Sequence, residues 1–449
     1  MRSRARVGAC TLVAAAALLA AGCGNAEKSA SGVGGSTPPT TAASDPGPSG
    51  SYPPVTAPGV TPTEIRVGGI ASVTSPLGGL EETAFDGVEA YFAMINESGG
   101  IYGRQLVLAE KKDDAVANNK AMANELINGD VFAVLPVATL LFTGADDLVA
   151  AGVPTFGWTI NPEWSGDVAN PKANLFGQTG SFLGLGEPIA TYPFLAKELG
   201  VHKIGVLAYG VPQSADCADS VQAAFDEWGE AADAEVVYFD KSLAYGDKNL
   251  SVQVGKMKDA GVDFVTTCMD TNGVVTLATE MDKQGLDARQ YLPNGYDHTF
   301  VEQYGDLFEG SVVRTDFVPI EVDEGSRPKG LTEFLAWMGT TGKTPTENAA
   351  VGWLNAALFV DGLKAAGPDF SRESVIQAIN EMTDWNADGM AFGVDWTKQH
   401  TGSSEDKRFC QAFVTIEDST FVPAFGEEGK PFTCVDGADP ANLTSTAES

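Results

Sequence analysis

Side chains able to make and break bonds are sparse in this 449-residue sequence and poorly spaced for that work. The three histidines, His202, His298 and His400, are far apart, and no C-x-x-C pair occurs, so no metal site is expected. Only His298 sits beside an acid in a loop that could line a site, which is thin ground for general acid–base work. "GTTGKT" (339–344) has the look of a phosphate loop, but that loop needs a glycine where Trp337 stands. "GLGEP" (184–188) lacks the third glycine of a dinucleotide fingerprint, and no G-x-S-x-G elbow occurs. No catalytic residue and no cofactor are expected, and an enzyme is the weakest reading. What the sequence offers is a set of groups suited to gripping a small molecule. In its first strand-and-helix series these are Thr74, Ser75, Ala138, Thr139, Trp158 and Thr159; in its second series, Tyr209, Gln213, Asp270, Asn272, Tyr296 and Asp297. Hydroxyls and free backbone N–H groups at helix starts suit a carboxylate. An acid suits an ammonium, because an unpaired buried charge costs several kcal/mol.

All twelve positions fall where a strand-like run gives way to a helical one. "IRVGGI" (65–70) reads as a buried strand. It precedes a helix with Phe85, Val88, Tyr91, Phe92 and Ile95 on one face, ended by Gly99-Gly100. The alternation continues through "QLVLAEKKD", "VFAVLP" and "VPTFGW". After Ser181 it restarts with "HKIGVLAYG", "AEVVYFD", "VDFVTTCMD" and "RQYLPNGY". Strands separated by helices of this length predict an α/β fold of two lobes, each a mainly parallel sheet flanked by helices. In such sheets ligands bind beyond the carboxyl ends of the strands, which is where the twelve residues fall. Each has a plainer alternative. Thr139 and Thr159 could be helix N-caps, Trp158 could pack in the core or hinge, and Asp270, Asp297 and the weaker candidate Asp216 could cap helices. The run 310–319 reads as a strand returning toward the first lobe. Helices are predicted over 327–341, 346–366 and 371–382, and a hairpin-like pattern runs from Met390 to Pro423.

The formal charge is −32, or −35 once Arg2, Arg4 and Arg6 leave with a signal sequence (−32 − 3). So acidic a chain argues against nucleic acid as a partner. Residues 1–22 have a basic start, an apolar run and a small-residue exit, the pattern of an export signal. Gly24 to Thr61 is rich in Ser, Thr, Pro and Gly and has too little apolar surface to fold. As a flexible leash it would average about 35 Å end to end. Among the cysteines, Cys10 leaves with the signal. Cys217, Cys268, Cys410 and Cys434 form an even set with three possible pairings. Cys217–Cys268 and Cys410–Cys434 are favoured because each pair lies in one predicted unit; the alternative is that some are buried free thiols.

The stretch "INESGGIYGRQLVLAEKKDDAVANNKAMANELINGDVFAVLP" (95–136) resembles the solute-binding proteins of bacterial ABC importers, of the branched-chain amino-acid type. The resemblance runs from about Glu64 to Pro423. It implies a two-lobed periplasmic-binding-protein fold, type I, whose lobes close over one small molecule and deliver it to a membrane permease. By that resemblance the carboxylate of an amino acid rests on hydroxyls and backbone N–H groups of lobe one, and an acid of lobe two takes the ammonium. "LLAAGCGN" (18–25) resembles the lipobox of bacterial lipoproteins, with Ala20 rather than Leu three places before the cysteine. That implies a lipidated Cys23 and an anchor to the outer face of the cell membrane; the alternative is a plain secreted protein. The expected layout is a signal peptide (1–22), the lipidated cysteine and leash (23–61), lobe one (62–184), lobe two (185–317), a return to lobe one (318–384), a return to lobe two with its hairpin (385–437), and a disordered tail (438–449). A monomer is expected, and a ligand-sensing receptor module of the same fold is the functional alternative.

Overall fold

Short runs of small and β-branched apolar residues alternate with amphipathic ones, and they build two mainly parallel sheets. The computed structural model describes residues 52–75, 80–166, 169–180, 188–293, 295–400 and 408–449. All of them lie in the compact unit Pro46–Ser449. The signal sequence, Cys10, Cys23, most of the leash and the expected boundary at 184 lie outside the described residues.

The first sheet has the order β2-β1-β3-β4-β5, with every pairing parallel. Its strands are β1 (Glu64–Ala71), β2 (Gln105–Asp113), β3 (Ala133–Ala138), β4 (Thr155–Gly157) and β5 (Leu175–Gly177). The connecting helices are α1 (Thr83–Glu97), α2 (Asn119–Ile127) and α3 (Ala145–Ala150). β1 sits in the interior of this sheet, and Ile65, Val67 and Ile70 are fully buried, as expected for a parallel strand covered on both faces.

The second series contributes α4 (Thr191–Leu199), β6 (Lys203–Tyr209), α5 (Pro212–Ala232), β7 (Glu235–Leu243), α6 (Ser251–Ala260), β8 (Phe264–Cys268), α7 (Thr271–Gln284), β9 (Arg289–Leu292), α8 (His298–Tyr304) and β10 (Val312–Thr315). Strands β7-β6-β8-β9-β10 run parallel. The chain then crosses back. α9 (Lys329–Thr340), α10 (Glu347–Ala366) and α11 (Arg372–Asn380) follow, and α9 and α10 pack on α1. Where α10 crosses α1, a Cβ on Gly87 would collide with the carbonyl of Ala349, and one on Gly352 with the carbonyl of Ala84. Two backbones therefore touch at that crossing, and glycine is required on both sides of it. The chain finally returns to the second sheet as β11 (Arg408–Glu417), β12 (Thr420–Ala424), β13 (Phe432–Asp436) and β14 (Thr444–Glu448), each antiparallel to its neighbour. Disulfides join Cys217 to Cys268 and Cys410 to Cys434.

Four expectations need correction. The run 310–319 does not join the first sheet; β10 pairs with β9 and β11 in the second. The hairpin-like pattern does not begin at Met390, because only β11 onward is strand and Trp396–Lys398 is a short helical turn. The leash does not run free to Thr61. Tyr52 meets the Tyr102 ring at 5.5 Å, the Gly59 N–H donates to Asp130 at 2.8 Å, and Arg104 donates to the carbonyls of Pro53 and Thr61 at 3.1 and 3.0 Å. A cation with five donors and few local acceptors satisfies itself on passing backbone. The tail from 438 is not disordered throughout, since β14 pairs along β13; that pairing covers a sheet edge that would otherwise present a row of unpaired backbone groups.

Candidate functional site

The rim of the first sheet is built from the turns after β1, β2, β3 and β4. Ser72 knots three of them together: its Oγ donates to Asp114 at 2.7 Å and accepts from the Leu140 N–H at 3.1 Å. Asp114 and Thr139 also take the Asn119 amide, at 3.1 and 3.4 Å. Ala138 and Thr139 lie inside this knot, with Thr139 only 2% exposed, and the Ala138 carbonyl accepts from the Ser72 N–H. Thr74 is exposed and its N–H donates to Asp113 at 3.0 Å, while Ser75 is partly buried. Trp158 is partly buried, and Thr159 Oγ1 shares a 2.7 Å hydrogen bond with Thr179. Neither Thr139 nor Thr159 caps a helix: the N-cap of α3 is Gly144, and that of the turn Pro162–Trp164 is Asn161.

On the second sheet the acids do cap helices. Asp270 accepts from the N–H groups of Asn272 and Gly273 at 2.9 and 3.2 Å and starts α7. Its other oxygen accepts from the Tyr209 hydroxyl at 2.7 Å. Burial, and then that carboxylate, push the Tyr209 phenol well up. The Tyr209 ring meets the Tyr245 ring edge-on at 5.1 Å. Behind them the Cys217–Cys268 bridge and Ser214, which accepts from the Tyr209 N–H and donates to the Cys268 carbonyl, lock α5 to β8. Gln213 is partly buried in the first turn of α5, and Asn272 is exposed in that of α7. Asp297 caps α8 through the N–H groups of Thr299 and Phe300. Tyr296, expected at the rim, is instead a strut. It is fully buried, donates to Glu321 at 2.6 Å, and accepts from the Ile320 N–H at 2.8 Å. Its neighbour His298 meets the same Glu321 at 2.6 Å, and that bond holds the imidazole pKa above its ordinary value. A small cavity of about 20 Å³ lies between Met269, Val274, Leu292 and Phe300, room for a single water rather than a ligand.

The two sides meet at residues that the sequence reading did not single out. Glu81, just before α1, is 7% exposed. Burial lifts its carboxyl pKa, and the charge of Asp297, from the other sheet, adds to the lift. Glu347, in the first turn of α10, is pushed up to about 8 by burial and then by Asp316, with Arg314 opposing and Asp297 adding. Arg314 stands 3.9 Å from Asp316. Burial works against its charge, but Asp316 and its neighbours hold the guanidinium protonated. Asp316 and Glu347 thus share one arginine, and the charge of Asp297 bears on both Glu347 and Glu81 where the first turns of α10 and α8 approach, so the arrangement favours a cationic group between the sheets. A local signal existed for Glu347, which follows the N-cap Thr346 at a helix start where an acid suits the dipole. Its burial depends on a partner sheet that no local spacing reveals. Among the described residues no group of three or more His, Cys, Asp or Glu is placed to hold a metal ion, and no helix is long and apolar enough to cross a membrane.

Comparison with known proteins agrees with this architecture. The family model described as periplasmic binding protein matches residues 64–412. A Leu/Ile/Val-binding protein homolog from Brucella melitensis is 28% identical over 207 residues, 45% of this chain, and the match spans about half (53%) of that relative's own length. Among solved structures, a branched-chain amino-acid ABC transporter protein from Thermus thermophilus with bound valine superposes with a TM-score of 0.65 at 20% identity, covering 81% of this chain and 96% of that one. A fatty acid ABC transporter substrate-binding protein from Thermomonospora curvata gives 0.64 at 16% identity, covering 87% and 93%. A solute-binding protein from R. palustris in complex with 4-hydroxybenzoate gives 0.63 at 17%, covering 80% and 95%. With the family model spanning most of the folded chain and these structures superposing over most of it, the chain belongs to the periplasmic binding protein family and has its type I fold.

Proposed function

We propose that this chain is an extracytoplasmic solute-binding protein, lipid-anchored through Cys23, that captures an amino acid or related amide or carboxylate by hinge closure and delivers it to an ABC permease. One observation carries the reading. Strand-end turns of the two sheets converge, and acids from both sides come close enough that the charge of Asp297 helps raise the carboxyl pKa of Glu81 and of Glu347. A ligand ammonium placed among them would relieve that repulsion, so closure and binding would favour each other. The exposed Thr74, the partly buried Ser75, the Thr159 hydroxyl and nearby backbone N–H groups would receive a carboxylate. Trp158 and Tyr209 would wall the ligand, with Gln213 and Asn272 at its edge. Valine and 4-hydroxybenzoate, the ligands of two structural neighbours, both carry a carboxylate; only valine needs an acid partner.

Native mass spectrometry of the gently purified protein, followed by a thermal-shift panel of amino acids, amides and aromatic acids, tests the ligand class. One member should raise the melting temperature and be recovered chemically unchanged. Uptake of that compound into vesicles carrying the partner permease should require the protein, and Cys23→Ser should release it from the membrane fraction. A panel with no stabilising member, or a ligand that is turned over, would sink the proposal.

A further inference from the structure

A second cavity, of about 380 Å³, opens on the helical side of the first sheet, between α1, the start of α9, the second half of α10 and the segment 384–388. That volume lies in the range of sites for small molecules. Its buried wall is aromatic: Tyr91, Trp353 and Trp385 are 7%, 2% and 5% exposed. Its outer edge is acidic. Asp361 accepts from the Trp385 indole at 3.1 Å and lies 3.6 Å from Lys364. Lys329 lies 2.7 Å from Asp388 and 3.6 Å from Glu333. Asp384 has no hydrogen-bond or ion-pair partner among the described residues. Four carboxylates face two ammoniums, so two negative charges are left over. The independent pointer is Tyr91. Its hydroxyl makes no hydrogen bond with any described residue, and the charges that act on it are Asp361, Asp388 and Glu333, all lining this cavity. Its ring is buried, while its unpartnered oxygen faces the open space of the cavity, where a donor on a ligand can reach it.

We propose that this cavity is a second ligand site, for a small organic cation with a slender apolar body, an aliphatic primary diamine being the simplest member. One ammonium would pair with Asp384 and Asp388 at the edge. The other would donate to the Tyr91 oxygen, while the methylene chain lies against the indoles, whose faces also attract a cation. The carboxylates are not placed to enclose a metal ion, which favours an organic cation over a divalent metal.

The test is isothermal titration of the full chain with 1,4-diaminobutane at low ionic strength, with magnesium and calcium as separate titrants. One saturable equivalent of the diamine is expected. Its affinity should fall at least fivefold in Asp384→Asn and about threefold in Tyr91→Phe, with unchanged circular dichroism, and should stay as it is in Thr159→Ala at the strand-end rim. Added salt should weaken it, because the attraction is between partly exposed charges. No saturable heat, equal affinity in Tyr91→Phe and the wild type, loss of binding in Thr159→Ala, or tighter binding of either metal would each overturn the assignment.

Discussion

Glu347 is the side chain at which burial and protonation meet. Its carboxyl is pushed up to about 8 by burial, with Asp316 and Asp297 adding to the effect. A carboxyl whose folded pKa exceeds its unfolded value binds its proton more tightly in the folded state. The stability it contributes is therefore present at low pH and is lost as pH rises from the ordinary glutamate value of 4.5 through about 8. Glu347→Gln mimics the neutral form at every pH. Calorimetry should find the variant more stable than the wild type at about pH 9 and nearly equal at about pH 5; the same difference at both values would reject a titrating Glu347. The substitution also removes a candidate partner for a ligand ammonium. If the ligand is an amino acid, its affinity at neutral pH should fall even as the free protein gains stability. Binding and folding would then move in opposite directions, an outcome that a merely structural glutamate does not produce.

At the scale of elements, Asp270 shows how a rim residue is committed before any ligand arrives. It caps α7 and also accepts the Tyr209 hydroxyl. Asp270→Ala should cost about 1 kcal/mol for the cap and about 1–3 more for the stranded phenol, measured by urea unfolding. A loss of ligand affinity without that instability would show that Asp270 serves the ligand instead. The crossing of α1 and α10 is tighter still. Gly352→Ala would drive a methyl into the Ala84 carbonyl, and overpacking against backbone should cost about 3 kcal/mol or more, seen as a lowered melting temperature. These elements differ in how readable they were. The sequence predicts a helix over 346–366 and α10 spans Glu347–Ala366, because its apolar run is long and Thr346 marks its start. β14 was missed because "TSTAE" lacks apolar alternation and is held only by the edge of β13. Tyr296 was placed at the rim because it follows a strand, yet Glu321, twenty-five residues on, draws its hydroxyl inward. The strand-end rule located the turns of the site; which side chains face the gap was set by partners distant in sequence.

For the molecule as a whole, the binding energy must act on the relation between two sheets joined by crossovers, since each rim is already rigid by itself. The Ser72–Asp114–Asn119 knot fixes the first rim, and the Cys217–Cys268 bridge with the Ser214 and Tyr209 hydrogen bonds fixes the second. Under the proposed hinge closure, a ligand shifts the open–closed equilibrium only by binding the closed form more tightly than the open one. Two measurements on one sample should therefore agree. At about 100 times its dissociation constant the ligand should add about 2.7 kcal/mol to the unfolding free energy by mass action. Small-angle scattering should show the radius of gyration decreasing on saturation. Glu347→Gln separates the two contributions. At about pH 9, where the wild-type carboxyl is ionised, removing the charge of Glu347 beside Asp297 and Asp316 should move the ligand-free protein toward the compact form, so the scattering change on ligand addition should shrink at that pH. A variant that shows the full change, from an equally open starting point, would mean that the acid cluster has no part in closure and that the contacts driving it lie elsewhere along the two rims.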